Sequence, residues 1–210
     1  MEPLIRLTSV VVPLPRDNVD TDAIIPAAYM RSLATDPARG LFARWRYGSD
    51  GRKDPGFVLN DPRFRGAAIL LSGANFGCGS SRENAVWALR NAGFRCIIAQ
   101  GFSDIFHENC FKNGVLPIIA APREHATLMQ WALRDAPWSV TIDVEARTLV
   151  LPGGATVSFA LDERKRQLLM SGLDEIDATL AHGEAIRAFR ERHRRKRPWL
   201  YASQPAGDPT

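Results

Sequence analysis

Residues 67–119 read AAILLSGANFGCGSSRENAVWALRNAGFRCIIAQGFSDIFHENCFKNGVLPII, and their rhythm decides the fold. Apolar runs of strand length stand at 67–71, 96–99 and 115–119, and helical spacing fills 81–91 and 103–112. Gly93 and Gly114 fall where helices end in a left-handed residue. The order strand, helix, strand, helix, strand predicts an α/β fold, a mostly parallel sheet flanked by helices. In such sheets ligands bind beyond the carboxyl ends of the strands, which is where the loop 73–80 lies.

That loop, Asn75-Phe76-Gly77-Cys78-Gly79-Ser80-Ser81-Arg82, gathers two glycines, two hydroxyls and an arginine ahead of a helix. Glycines let backbone N–H groups approach an anion, the positive end of a helix favours negative charge, and a guanidinium matches a carboxylate fork. A ligand-free alternative is a capping box, with Ser80 as N-cap and Glu83 three residues on. Known phosphate loops do not fit: no lysine follows the glycines, and Arg82 stands where G-x-G-x-x-G needs glycine.

The chain has 210 residues, 45% of them hydrophobic and 24% charged, which suits one sizeable core. No apolar run reaches membrane-spanning length, and no secretory signal pattern opens the chain; a cytoplasmic protein is expected. Cys78, Cys96 and Cys110 are widely spaced, so neither a disulfide framework nor a metal site is indicated, and Cys96 and Cys110 are expected to be buried as small hydrophobes. The four histidines show no ligand spacing and are expected at exposed or capping positions. The net charge of +4 comes from residues 184–197, which hold seven Lys and Arg against two Glu. With no aromatics interleaved in its basic end, this segment reads as a solvated helix end, not a nucleic-acid arm.

Elsewhere a strand is expected at 4–12, closed by Pro13, and a long irregular excursion pinned by aromatics at 31–66. A helix at 122–135 precedes a small β-meander at 139–144, 148–151 and 156–160. Helices at 162–170 and 174–197 are broken at Gly172 and Gly183. A single domain over 1–197 with a loosely held tail at 198–210 is the expectation. The cluster Asn18-Val19-Asp20-Thr21-Asp22 is either an Asx turn or part of a site.

The run from Asn75 to Glu83 resembles the signature of the 3-isopropylmalate dehydratase small-subunit family of the aconitase superfamily. Asn18 to Pro26, Phe102 to Phe106 with Asn113 to Pro117, and Gly172 to Ile176 are similar to three further segments of that family, in the family's order. Two positions depart from its pattern, Asn84 for the usual His and Val86 for a frequent Pro.

The resemblance implies a swivelling β/β/α domain that closes over a separate large subunit, as heterodimer or heterotetramer. A four-iron four-sulfur cluster is expected on that subunit, with no cofactor or metal on this chain. It implies a lyase, interconverting 2- and 3-isopropylmalate in leucine biosynthesis. A hydratase of another small di- or tricarboxylate such as citraconate, maleate or homoaconitate is a close alternative, and a non-catalytic anion-binding module a distant one. Ser80 would be the catalytic base. Arg82, Ser81, Asp20, Thr21 and Asp22 would bind substrate, and Tyr29, Met30 and Arg31 would form the specificity loop. Neither nucleic acid nor membrane is an expected partner.

Overall fold

A computed structural model describes residues 1–30 and 36–201. Among these residues seven strands form one sheet in the order β4-β3-β2-β1-β5-β6-β7. They are β1 (Arg6–Leu14), β2 (Ile69–Ser72), β3 (Cys96–Ala99), β4 (Leu116–Ile119), β5 (Ser139–Asp143), β6 (Thr148–Val150) and β7 (Thr156–Ser158). The pairings β1–β2, β2–β3 and β3–β4 are parallel, and β1–β5, β5–β6 and β6–β7 antiparallel. The expected parallel sheet and the expected meander are thus two halves of one mixed sheet, joined at β1.

β1 serves both halves with different residues. Arg6 to Val10 pair with β5 and Val11 to Leu14 with β2, in register with Ile69 to Ser72. The strand therefore runs through Pro13, where the sequence expectation ended it. Pro13 stands opposite Leu71, past the last residue that pairs with β5, so its missing N–H costs no ladder bond on that side. Pro117 is tolerated for a related reason, because β4 is an edge strand.

The parallel strands Ile-Leu-Leu-Ser and Cys-Ile-Ile-Ala are fully buried, as sheets covered on both faces require. One core holds Val12, Leu70, Ile97, Ala85, Leu89 and Cys110, under α3 (Glu83–Asn91) and α4 (Asp104–Lys112). The other holds Val11, Ile69, Leu71, Cys96, Ile98 and Leu128, the last from α5 (Pro122–Ala132). Cys96 and Cys110 are buried as expected.

Between β1 and β2 the chain makes α1 (Thr21–Ile24), a 3-10 turn at Ala27–Met30, then single turns at Pro37–Gly40, α2 (Ala43–Arg46), Val58–Asn60 and Pro62–Phe64. The aromatic pinning is real: Phe42 stacks on Trp45, and Phe57 packs edge-on against Phe42. α6 (Glu163–Ser171) begins at an Asp162 cap and stops at Gly172, which takes the left-handed conformation.

The chain divides into two compact units, Met1–Gly172 and Leu173–Thr210. The second contains α7 (Glu175–Leu180), α8 (Gly183–Lys196) and a 3-10 turn at Pro198–Tyr201. The last helical turn of α8 carries His193, Arg194, Arg195 and Lys196, the cations that a helix C-terminus favours.

Candidate active site

Beyond the strand ends of β1 and β2, the two segments stay zipped together. The N–H of Gly73 donates to the carbonyl of Arg16 at 3.0 Å, that of Asn18 to Ala74 at 2.9 Å, that of Gly77 to Val19 at 2.7 Å and that of Thr21 to Cys78 at 2.9 Å. Side chains reinforce the ladder: Asp17 accepts from the N–H of Ala74 at 2.6 Å, and the Asn75 amide donates to Asn18 Oδ1 at 2.8 Å. Asn18 and Asn75 both sit at positive φ, 53° and 54°, a conformation their short polar side chains tolerate. On the other side the loop after β3 joins in. The N–H of Phe76 donates to Gly101, that of Ser103 to Phe76, and the Ser103 hydroxyl to the carbonyl of Gly77 at 2.5 Å.

This frame explains the two glycines. Gly77 has φ of 75°, and a Cβ there would lie 2.1 Å from Cγ of the buried Phe106. Gly79 has φ of 89°, and its virtual Cβ comes within 3.5 Å of Asp20 Cβ. Phe106 itself is held by Phe76 and Phe102, at centroid distances of 5.4 and 6.3 Å.

Ser80 is brought to Thr21. The two hydroxyl oxygens are 3.2 Å apart, and Thr21 Oγ1 also donates to the Ser80 carbonyl at 3.1 Å. Thr21 is 1% exposed, whereas Ser80 and Ser81 face solvent. The capping-box reading fails here. The N-cap of α3 is Arg82, with no side-chain cap bond, and Glu83 instead accepts a hydrogen bond from the Asn113 amide at 2.8 Å. The helix begins two residues later than expected, which frees both serine side chains from capping it.

Arg82 is paired with Asp22, whose second oxygen meets Arg44 at 3.1 Å. The hydrogen bond from Arg82, aided by the charge of Arg44, holds the Asp22 carboxyl below its usual range, and it is ionised at neutral pH. Asp20 has a local duty, capping α1 by accepting from the N–H of Ala23 at 2.6 Å. Tyr29 and Met30 are partly buried against the core that lies under α3 and α4, and Tyr29 also lines an open cleft of about 820 Å³ with Pro26, Arg39, Ala43, Arg44 and Tyr47. Arg31 lies outside the described residues.

Two participants were not found in the sequence. Arg44 sits in an arginine-rich stretch that offers no signal for it. His125 departs from the expected exposed or capping position: it is 5% exposed, its Nε2 lies 2.6 Å from the Ser72 carbonyl and its Nδ1 3.1 Å from the Gln100 amide. These contacts assign the proton to Nε2, which donates to Ser72 and fixes the carboxyl end of β2. His107 is half-buried among Phe102 and Phe111, and burial depresses its pKa.

Among the described residues no three His, Cys, Asp or Glu gather to hold a metal. The cysteines do not fit an iron–sulfur cluster, since Cys96 and Cys110 are sealed in the core. Burial and the Asp20 charge raise the Cys78 thiol.

Comparison with known proteins decides the family. The profile of the aconitase C-terminal domain matches residues 1–124, and that of the C-terminal domain of the 3-isopropylmalate dehydratase small subunit matches residues 175–203. The 3-isopropylmalate dehydratase small subunit of Mesorhizobium japonicum is 47% identical over 200 residues, 95% of this chain and 100% of that protein. The chain belongs to the 3-isopropylmalate dehydratase small-subunit family. The small subunit from Brucella canis is likewise 47% identical over 95% of this chain and all of its own length. A crystal structure of 3-isopropylmalate dehydratase from Methanocaldococcus jannaschii superposes with a TM-score of 0.61 at 28% identity, covering 89% of this chain and 99% of that one. The mixed sheet described above is therefore the fold of this small-subunit family.

Proposed function

We propose that this chain is the small subunit of a hydro-lyase that interconverts 2-isopropylmalate and 3-isopropylmalate in leucine biosynthesis, acting with a separate large subunit. The observation that carries the reading is the joint placement of Ser80, Thr21, Arg82 and Asp22 beyond the ends of β1 and β2, in a chain 47% identical to named small subunits.

Ser80 would take the proton from the substrate carbon as hydroxide leaves, giving an alkene diacid; rehydration with the two carbons exchanged gives the isomer. A serine oxyanion is a poor species at neutral pH unless donors and positive charge stabilise it, and this chain leaves Ser80 exposed. Thr21 offers a buried hydroxyl whose one proton would turn from the Ser80 carbonyl to Ser80 Oγ as charge develops there, and the start of α3 lies close by in the chain. The remaining desolvation falls to closure of the large partner over the loop. Arg82 would grip a substrate carboxylate, with Ser81 beside it. The Lewis acid for the leaving hydroxyl would be a four-iron four-sulfur cluster on the large partner, as the family resemblance implies; Cys96 and Cys110 of this chain are buried in its core.

The test is turnover by the complex reconstituted with a large subunit, followed through the ultraviolet absorbance of the alkene intermediate. Ser80→Ala should lower kcat by roughly 10²- to 10⁴-fold with little change in KM. Unchanged turnover would remove Ser80 from the chemistry. A second reading, a hydratase of a more highly charged acid, is favoured by Arg39 and Arg44 in the cleft wall, which an isopropyl group does not need. Comparing kcat/KM for isopropylmalate, citraconate and homoaconitate separates the two, and an Arg31→Ala variant tests the specificity loop.

A further inference from the structure

We infer that Arg44 is a positioning residue of the substrate cleft, taking over the Asp22 carboxylate when a substrate carboxylate claims the Arg82 guanidinium. The inference rests on the hydro-lyase reading of Arg82.

The structure poses a problem that Arg44 answers. In the ligand-free chain the guanidinium meant for substrate is already paired, to Asp22 Oδ1. A substrate carboxylate arriving at Arg82 must share that guanidinium with Asp22, and two like charges on one cation repel. The backbone of the α1 turn that carries Asp22 is fixed by the Asp20 cap and by the Thr21 N–H bond to Cys78, so Asp22 can leave Arg82 only by turning its side chain. A second cation already waits on its other oxygen: Arg44, 3.1 Å from Oδ2. A rotation of the Asp22 carboxylate toward Arg44 frees the Arg82 fork without leaving any charge unpaired.

Arg44 is held in place for this. Its helix α2 is preceded by Phe42, which adopts φ of 50°, is fully buried, and donates its N–H to the carbonyl of Ile24 at the end of α1. The α1 and α2 turns are thus tied backbone to backbone, which sets the Asp22–Arg44 spacing. The Arg44 side chain is 61% exposed on the wall of the 820 Å³ cleft, so it has room to follow the carboxylate, and Arg39 adds positive charge to the same wall. The cleft thereby joins the Ser80 and Arg82 cluster through Arg44, and its charge suits an entering dianion.

The role is indirect, so it predicts a split between binding and turnover. In the reconstituted complex with isopropylmalate, Arg44→Met should raise KM about tenfold, equal to about 1.4 kcal/mol, and leave kcat within about twofold. Arg44→Lys should restore most of the loss, because a single oxygen at 3.1 Å needs a charge and not a fork. In an Asp22→Asn background the competing charge is gone, and Arg44→Met should then leave KM nearly unchanged. Calorimetric titration of 2-isopropylmalate into the same complexes carrying Ser80→Ala, which slows turnover, should give the same ratios. If Arg44→Met weakens binding equally with Asp22 or Asn at position 22, Arg44 acts on the substrate and not through Asp22, and the inference falls. It falls equally if Arg44→Met matches the wild type in a complex that binds and turns over isopropylmalate, while the hydro-lyase reading stands. A wild-type complex that neither binds nor turns over isopropylmalate defeats that reading, and this inference with it.

Discussion

Replacing Gly77 with alanine tests whether the loop is as tightly built as its contacts indicate. The added Cβ would lie 2.1 Å from Phe106 Cγ, 2.5 Å from Cδ2 and 2.6 Å from Cβ, far inside van der Waals contact. Phe106 is 2% exposed and boxed by Phe76 and Phe102, so it cannot withdraw cheaply. Nor can the backbone relax, since the Gly77 N–H is bonded to Val19 and its carbonyl to the Ser103 hydroxyl. An overpacked core costs about 1 to 3 kcal/mol. The positive φ of 75° adds roughly 1 to 2 kcal/mol for an L residue. The total is roughly 2 to 5 kcal/mol, a large share of the ~5 to 15 kcal/mol that holds a domain together.

Gly79→Ala is the control, because its φ of 89° carries the backbone cost while its nearest neighbour atom lies 3.5 Å from the new Cβ. Urea unfolding of both variants, read by circular dichroism at equal slope, isolates the packing contribution as their difference of about 1 to 3 kcal/mol. Equal midpoints for the two variants would show that Phe106 moves freely and that the loop is not a rigid frame.

Three further outcomes are expected. Arg82→Lys should raise KM in the reconstituted complex despite keeping the charge, because lysine lacks the two-pronged geometry; unaltered kinetics would remove Arg82 from substrate binding. His125→Ala should lower stability by about 2 to 4 kcal/mol, since it opens a buried cavity and leaves the buried Ser72 carbonyl without its partner, and a thermal melt identical to wild type would refute this. Glu163 accepts from Arg166 and pairs with Arg147, which lowers its pKa from the usual range to about 2. A lowered carboxylate pKa stabilises the fold above the unfolded value near 4.5 and loses that effect as pH falls toward 2. The stability gap between wild type and Glu163→Gln should therefore be full at pH 6 and close between pH 4.5 and pH 2; a gap independent of pH would show that the ion pairs contribute nothing.

The parallel half of the sheet was readable because its strands are continuous apolar runs punctuated by Gly93 and Gly114, signals that act within a few residues. What was not readable depends on partners distant in sequence. Pro13 looks like a strand terminator until the β5 pairing is known to end at Val10, leaving one side of β1 unpaired at that point. The Ser80 and Glu83 spacing matches a capping box, yet the ladder to residues 16–21 holds the chain as far as Cys78, the chain bends at Gly79 and Ser80, and the helix starts only at Glu83. His125 gave no sign of burial because the groups that satisfy it are a main-chain carbonyl of β2 and a glutamine after β3. Family resemblance selected Ser80, Ser81, Arg82, Asp20, Thr21 and Asp22, with Tyr29, Met30 and Arg31 as a specificity loop; in the structure Ser80 meets Thr21 and Arg82 meets Asp22, Asp20 caps α1, and Arg31 lies outside the described residues. The resemblance says nothing of Arg44.

On the proposed reading, a site assembled in this way divides the work of catalysis between two kinds of order. Position is supplied within the chain: the backbone ladder fixes Ser80 relative to Thr21, and the Phe106 contact fixes the glycine turn that precedes it, before any substrate arrives. Dryness is not supplied, since Ser80 and Ser81 remain open to water. Electrostatic stabilisation of an oxyanion grows as water is excluded, so the preformed hydroxyl pair can have only modest effect until a second surface covers it. On the proposed reading the exposed serine and the rigid frame beneath it are therefore complementary features, one to be covered on closure and the other holding the proposed reacting groups aligned for it.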